Sequence, residues 1–160
     1  MRDEAGREKV VEVVIETPKG SGVKIKYIPD RQLYELDRIL PEGFRFPFNF
    51  GFVPNTRAAD GDPLDVVLIL DAPLFPGCRI RCRFLGVLQA TQTERGSTYR
   101  NDRILAVAEK DKEAPESLSD LSKNFVSNIA SFFRFYHELD GNRFEMCGVG
   151  SAQEAIDLLR

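Results

Sequence analysis

Asp60, Asp62 and Asp65 fall within six residues, in the run Asp60-Gly61-Asp62-Pro63-Leu64-Asp65. Carboxylates held this close repel and raise one another's pKa unless a proton or a cation relieves them. Hard divalent ions such as Mg²⁺ suit such a group, because they prefer oxygen ligands and keep several waters. Spacing alone leaves two readings open, a metal-binding loop and a solvated acidic turn, since Asp, Gly and Pro are also common turn formers. An EF-hand is excluded. Its loop requires Glu at the twelfth position, and counting from Asp60 reaches Asp71, with apolar Val67 and Leu68 in between. A zinc site is not expected either, because His137 is the single histidine and Cys78, Cys82 and Cys147 lack paired-ligand spacing.

The loop leads into residues 64–70, a nearly continuous apolar run that predicts a strand buried on both faces and a rigid support for the aspartates. Upstream, β-branched residues over 10–15 and alternation over 23–28 and 34–39 predict a meander of short strands, punctuated by Lys19-Gly20-Ser21-Gly22 and Pro29-Asp30. Downstream, 79–90 and 103–108 predict two more strands, joined by a polar loop over 91–101. Residues 124–139 carry Phe125, Ile129, Phe132, Phe133 and Tyr136 at helical spacing, and Asp140-Gly141-Asn142 supplies the stop. A shorter helix over 151–159 starts at Ser151, with Glu154 placed for a capping box. The expected class is α+β: a small five-stranded, OB-like β-barrel with helices packed against it.

A chain of 160 residues suffices for one domain with a core of its own, spanning 1–160, with 1–9 read as a charged, flexible arm. No apolar stretch is long enough for a bilayer, and the first residues lack the apolar region of a signal peptide. Three cysteines do not make a disulfide framework, so a cytoplasmic setting is expected. The net charge of −3 argues against a nucleic-acid partner. The basic run Arg79-Ile80-Arg81-Cys82-Arg83 fits the solvated face of a strand.

Asp60-Gly61-Asp62-Pro63-Leu64-Asp65-Val66 closely resembles the motif of the family I soluble inorganic pyrophosphatases. The likeness extends upstream to Phe46-Pro47-Phe48-Asn49-Phe50-Gly51-Phe52-Val53-Pro54-Asn55-Thr56. Downstream it takes in Pro76-Gly77, Arg81-Cys82-Arg83, Gly86-Val87-Leu88 and Phe132-Phe133, and covers about residues 10–159. The resemblance implies Mg²⁺-dependent hydrolysis of pyrophosphate to phosphate by a metal-activated water, with Mn²⁺ as another usable ion. It places Asp60 and Asp65 on the metal and Asp62 at the attacking water. Lys26, Arg38, Arg103 and Tyr136 fall among the groups that grip the phosphates, Tyr136 serving catalysis as well, and Glu16 lies beside the metal site. It also implies a homo-oligomer, a hexamer in the bacterial type.

The sequence departs from the family pattern at several of these places. Ile28, Gln92 and Asn101 stand where acidic residues are usual, Phe46 and Phe50 where Tyr is frequent, Arg103 for a lysine, and His137 for the lysine after the helical Tyr. Asp102 could serve as a metal ligand through a one-residue shift, although on a strand such a shift turns the side chain to the other face. Glu94 lies in the same region. The alternative reading is a catalytically impaired homologue that binds phosphate compounds or partners without efficient turnover. An oligonucleotide-binding barrel is a third, disfavoured by the acidic balance.

Overall fold

The computed structural model describes residues 9–160, so the arm expected over 1–9 falls, save for Lys9, outside the described residues. In chain order the strands are β1 (Val11–Thr17), β2 (Val23–Ile28), β3 (Leu33–Ile39), β4 (Asn49–Val53), β5 (Leu64–Leu68), β6 (Arg79–Glu94), β7 (Ser97–Arg100) and β8 (Arg103–Ala108). A single 3₁₀ turn at Leu118–Asp120 precedes α1 (Lys123–Glu138), which is followed by β9 (Arg143–Ser151) and α2 (Ala152–Asp157). Hydrogen bonds run from β1 through β4, β5, β8 and β6 and back to β1, closing five strands into a ring. Strands β7 and β9 add to the long β6, while β2 and β3 form a separate hairpin. The expected α+β arrangement, a small closed sheet with helices against it, is what the chain adopts.

Side-chain alternation explains why the ring has apolar residues on both faces. Val66, Leu68, Ile104 and Ala106 join Val13, Ile15, Phe84 and Val87 in one core, to which α2 adds Ala155 and Ile156. The intervening Val67 and Leu105 point the other way. They meet Leu88, Phe46, Phe48 and Phe50, and the Ile129, Phe132 and Phe133 stripe of α1. Strand β5 is thus buried on both sides over Leu64–Leu68, as its composition predicts, and ends two residues short of the expected 64–70, with Ile69 and Leu70 half-buried.

Several elements differ from expectation. The polar stretch 91–101 is not a loop: β6 continues to Glu94, turns through Arg95 and Gly96, both at positive φ, and returns as β7. Strand β4 carries no alternation because all five of its residues are buried, which hides its period. Its Gly51 meets β1 so closely that a Cβ would lie 2.3 Å from the Val14 carbonyl oxygen. Strand β9 escapes the apolar pattern since most of its side chains are exposed and two glycines interrupt it.

The helix ends follow their residues. Gly141 lies at φ +74° and donates its N–H to the Glu138 carbonyl at 3.0 Å, terminating α1. Ser151 Oγ accepts from the Glu154 N–H at 3.1 Å, but the Glu154 carboxylate bonds Gln89 Nε2, so half of the expected capping box forms. Arg79 and Arg81 are exposed and pair with Glu12 and Glu109, consistent with a solvated strand face.

Candidate active site

The aspartate loop connects β4 to β5 and is clipped at its base. Thr56 Oγ1 donates to the Val53 carbonyl at 2.6 Å and accepts from the Leu64 N–H at 3.0 Å. At the tip Gly61 adopts φ +87°, and the Asp60 Oδ1 accepts from the Asp62 N–H at 3.0 Å. This turn sets Asp60 and Asp65 on the wall of a cavity of about 300 Å³, together with Asp62. The cavity is bounded by the β2–β3 hairpin, the loop, β6 to β8 and the end of α1. Lys26, Arg38, Arg103 and Tyr136 also line it, as do Glu16, Gln92, Glu94, Asn101 and His137.

Electrostatics at the loop favour a cation. Burial, opposed by Arg103 and reinforced by Glu16 and Asp60, pushes the Asp65 carboxyl up to about 7. Burial and the neighbouring Asp62 charge raise Asp60 as well. Both carboxylates are therefore costly in their charged form until positive charge arrives. Lys26 stays firmly protonated: burial pulls its pKa down, but Asp62, 3.5 Å away, and Asp37 outweigh it.

Arg103, on β8 beside Asp65 of β5, is a buried cation of the cavity. It is 3 % exposed, its guanidinium stacks over Phe133 and Phe144, and its Nε lies 3.9 Å from Asp65 Oδ2. It donates to the Asn101 carbonyl and, at 3.4 Å, to Gln92 Oε1. Gln92 Oε1 also accepts from Asn101 Nδ2 at 2.9 Å. Three of the departures from the family pattern, Gln92, Asn101 and His137, thus form one network around a guanidinium. A second cation, Arg38, is held by Asp140 at 2.9 Å and lies over the Tyr136 ring at 4.5 Å. Burial drives the Tyr136 phenol well above its ordinary pKa, so it stays a hydrogen-bond donor at neutral pH.

His137 Nε2 lies 3.1 Å from Arg103 Nη2 and so accepts, which places the ring proton on Nδ1. Burial, then Arg103 and Arg38, lower its pKa to about 3 from 6.5. The unfolded chain therefore takes up a proton in acid that the folded chain refuses. This group's contribution falls as pH drops through that window, by roughly 1.4 kcal/mol per unit. Relative to His137→Gln, the wild type should lose about 1.6 kcal/mol between pH 6.5 and pH 5. Denaturant unfolding of both proteins at the two pH values checks this, and a constant gap would refute a buried neutral imidazole.

The structure brings together every expected site residue but one. Asp102 is absent from the cavity wall; its carboxylate accepts from the Ala90 N–H at 3.0 Å and is gripped by Arg100. Asn101 faces the cavity in its place. The one-residue shift that would make Asp102 a ligand fails because neighbouring strand-end side chains point opposite ways. Ile28 likewise stays off the wall.

Lys24 is the residue that sequence reasoning passed over. Alternation over 23–28 sets Val23, Ile25 and Tyr27 against the lysines, and the apolar set is the natural choice for the inward face. Lys24 is instead the buried member, 7 % exposed, with its Nζ 2.5 Å from Glu16 Oε1 and 4.7 Å from the Phe50 ring centroid. The available signal was Lys26, two residues on and therefore on the same face.

Among the described residues no three His, Cys, Asp or Glu side chains converge as a metal cage. The donors present nevertheless fit a hard dication that keeps most of its waters: Asp60 and Asp65 offer carboxylates, and the buried Asn101 Oδ1 has no partner.

The sequence profile of the family described as inorganic pyrophosphatase matches residues 13–160. An inorganic pyrophosphatase of Halalkalibacterium halodurans is 37% identical over 153 residues, covering 94% of this chain and 91% of the relative. That of Synechocystis sp. is 39% identical over 152 residues, covering 94% and 88%. The crystal structure of the Thermus thermophilus inorganic pyrophosphatase superposes with a TM-score of 0.85 at 31% identity, covering 99% of this chain and 91% of that one. With the aspartate loop, the cation-lined cavity and these likenesses in agreement, the chain belongs to the inorganic pyrophosphatase family.

Proposed function

We propose that this chain hydrolyses inorganic pyrophosphate to phosphate with Mg²⁺ as its ion, held by Asp60 and Asp65 with Asn101 Oδ1 beside them. The observation that carries this reading is the turn that sets Asp60, Asp62 and Asp65 on the wall of a cavity that Lys26, Arg38 and Arg103 also line. The family is metal-dependent. Bound there, a divalent ion neutralises phosphate charge and acidifies water. Asp62, whose side chain is half exposed at the loop tip, takes the proton from the attacking water. Lys26 and Arg38 on the hairpin, with Arg103 and the Tyr136 hydroxyl, orient the phosphates and stabilise the charge that develops on their oxygens. Phe46 and Phe50 present no hydroxyl, so this work falls to fewer groups than in relatives with tyrosine there.

The cytoplasm is the proposed setting, supported by Cys78, Cys82 and Cys147 all being free thiols. No helix among the described residues is long and apolar enough to cross a membrane. A homo-oligomer, hexameric in size, is the proposed assembly, supported by Leu33, Leu36 and Ile39 lying exposed along β3. Phosphate release from pyrophosphate tests the chemistry. It should stop on chelation and return when Mg²⁺ is restored; release that persists in chelator would end the metal-dependent reading.

A further inference from the structure

Arg103 is held differently from the other cations that line the cavity. Lys24, Lys26 and Arg38 each lie within 3.5 Å of a carboxylate oxygen. The hydrogen bonds of Arg103 run instead to the Asn101 carbonyl, to Gln92 Oε1 at 3.4 Å and to His137 Nε2 at 3.1 Å, all neutral acceptors. The Asp65 carboxylate stays 3.9 Å from Nε, beyond hydrogen-bond reach, and it is one of the two groups assigned to the metal ion. With that carboxylate given over to an ion, the guanidinium keeps its full charge.

His137 is the acceptor on which this balance turns. Phe133 and Phe144 hold both partners: the Arg103 guanidinium carbon lies 4.5 and 5.0 Å from their ring centroids, and the imidazole stacks on Phe144 at 5.7 Å with 8° between the planes. A protonated imidazole would set two buried cations 3.1 Å apart, so the contact itself requires the neutral ring. Its lone pair fixes Nη2 and cancels no charge, whereas a carboxylate in the same place would do both. We infer that His137 is the positioning residue of Arg103: its neutral nitrogen orients the guanidinium while leaving the positive charge for a phosphoryl oxygen of the substrate. Gln92 and the Asn101 carbonyl complete the cage of neutral acceptors, and Gln92 is itself oriented by Asn101 Nδ2, Glu94 and Tyr99. A charge fixed in advance costs no reorganisation when the substrate arrives.

This inference rests on the pyrophosphate reading of the cavity, and a diphosphonate that cannot be hydrolysed separates the two. Calorimetric titration of methylenediphosphonate at neutral pH in saturating Mg²⁺ measures binding without turnover. His137→Gln, whose amide oxygen accepts where Nε2 does, should bind within about twofold of wild type, His137→Leu about fivefold more weakly, and His137→Glu at least about tenfold more weakly. Glutamine and glutamate share one shape, so the gap between them reports charge, which a packing role would not move. Combined with Arg103→Met, the same two substitutions should bind alike, because the effect travels through the guanidinium. Equal affinity of the Gln and Glu variants would overturn the inference, as would a gap that survives Arg103→Met, or His137→Leu binding as tightly as wild type. Where the buried glutamate or a double variant does not fold, the leucine–glutamine comparison still decides. A wild type that binds the diphosphonate but releases no phosphate from pyrophosphate would refute the hydrolase reading and leave this test in force; no binding at all would refute both.

Discussion

Asp62→Asn lowers kcat for pyrophosphate hydrolysis by about 10²- to 10⁴-fold, the usual contribution of a positioned general base. That corresponds to roughly 3–5 kcal/mol of lost transition-state stabilisation. The substitution keeps the shape of the side chain while removing its negative charge and its ability to accept a proton. Asp62 is half exposed, and its one close charged partner is Lys26 at 3.5 Å, so the fold has little dependence on it. Its backbone N–H, not its carboxylate, closes the turn onto Asp60. The melting temperature should therefore stay within a degree or two of wild type. KM should not rise, because removing a negative charge from the cavity does not oppose a polyanionic substrate. A fall in kcat with KM unchanged marks an interaction made in the transition state; a rise in KM alone would assign Asp62 to binding.

Arg103→Met destabilises the fold by about 3 kcal/mol, a typical cost for removing one partner of a buried ion pair. For a chain of this size that corresponds to a melting temperature lower by roughly 6–12 °C. The loss has several sources. Asp65 loses the guanidinium that lowers its pKa, and Phe133 and Phe144 lose the cation between them. Gln92 Oε1, the Asn101 carbonyl and His137 Nε2 each lose a donor. Two effects moderate the cost: Asp65 can take up a proton, and methionine fills the space left by the stem. Calorimetric melting checks the figure. A shift under 2 °C would mean that the guanidinium is there for substrate alone.

Much of this site was legible in the chain because the relevant signals are local. Three aspartates, a glycine and a proline within six residues define a turn whatever surrounds it, and the apolar run behind them announces its support. The α1 stripe and its glycine stop are equally local. What escaped detection depends on long-range pairing. Strand β4 reads as an aromatic motif until β1 and β5 flank it. Strand β9 is mostly exposed, and only its pairing along β6 identifies it. The inward turn of Lys24 is decided by Glu16, eight residues earlier on another strand, and by the Phe50 ring, neither of which a period-2 pattern contains. Asn101 and Asp102 differ in facing, and the choice between them needed the Ala90 N–H and Arg100 that hold Asp102 away.

The most direct measurement is the rate of phosphate appearance from pyrophosphate at saturating Mg²⁺, recorded for wild-type protein beside Asp62→Asn. The account predicts steady turnover by the wild type and a variant at least a hundredfold slower, bound to the same ion and equally folded. A wild type no faster than the variant would contradict it.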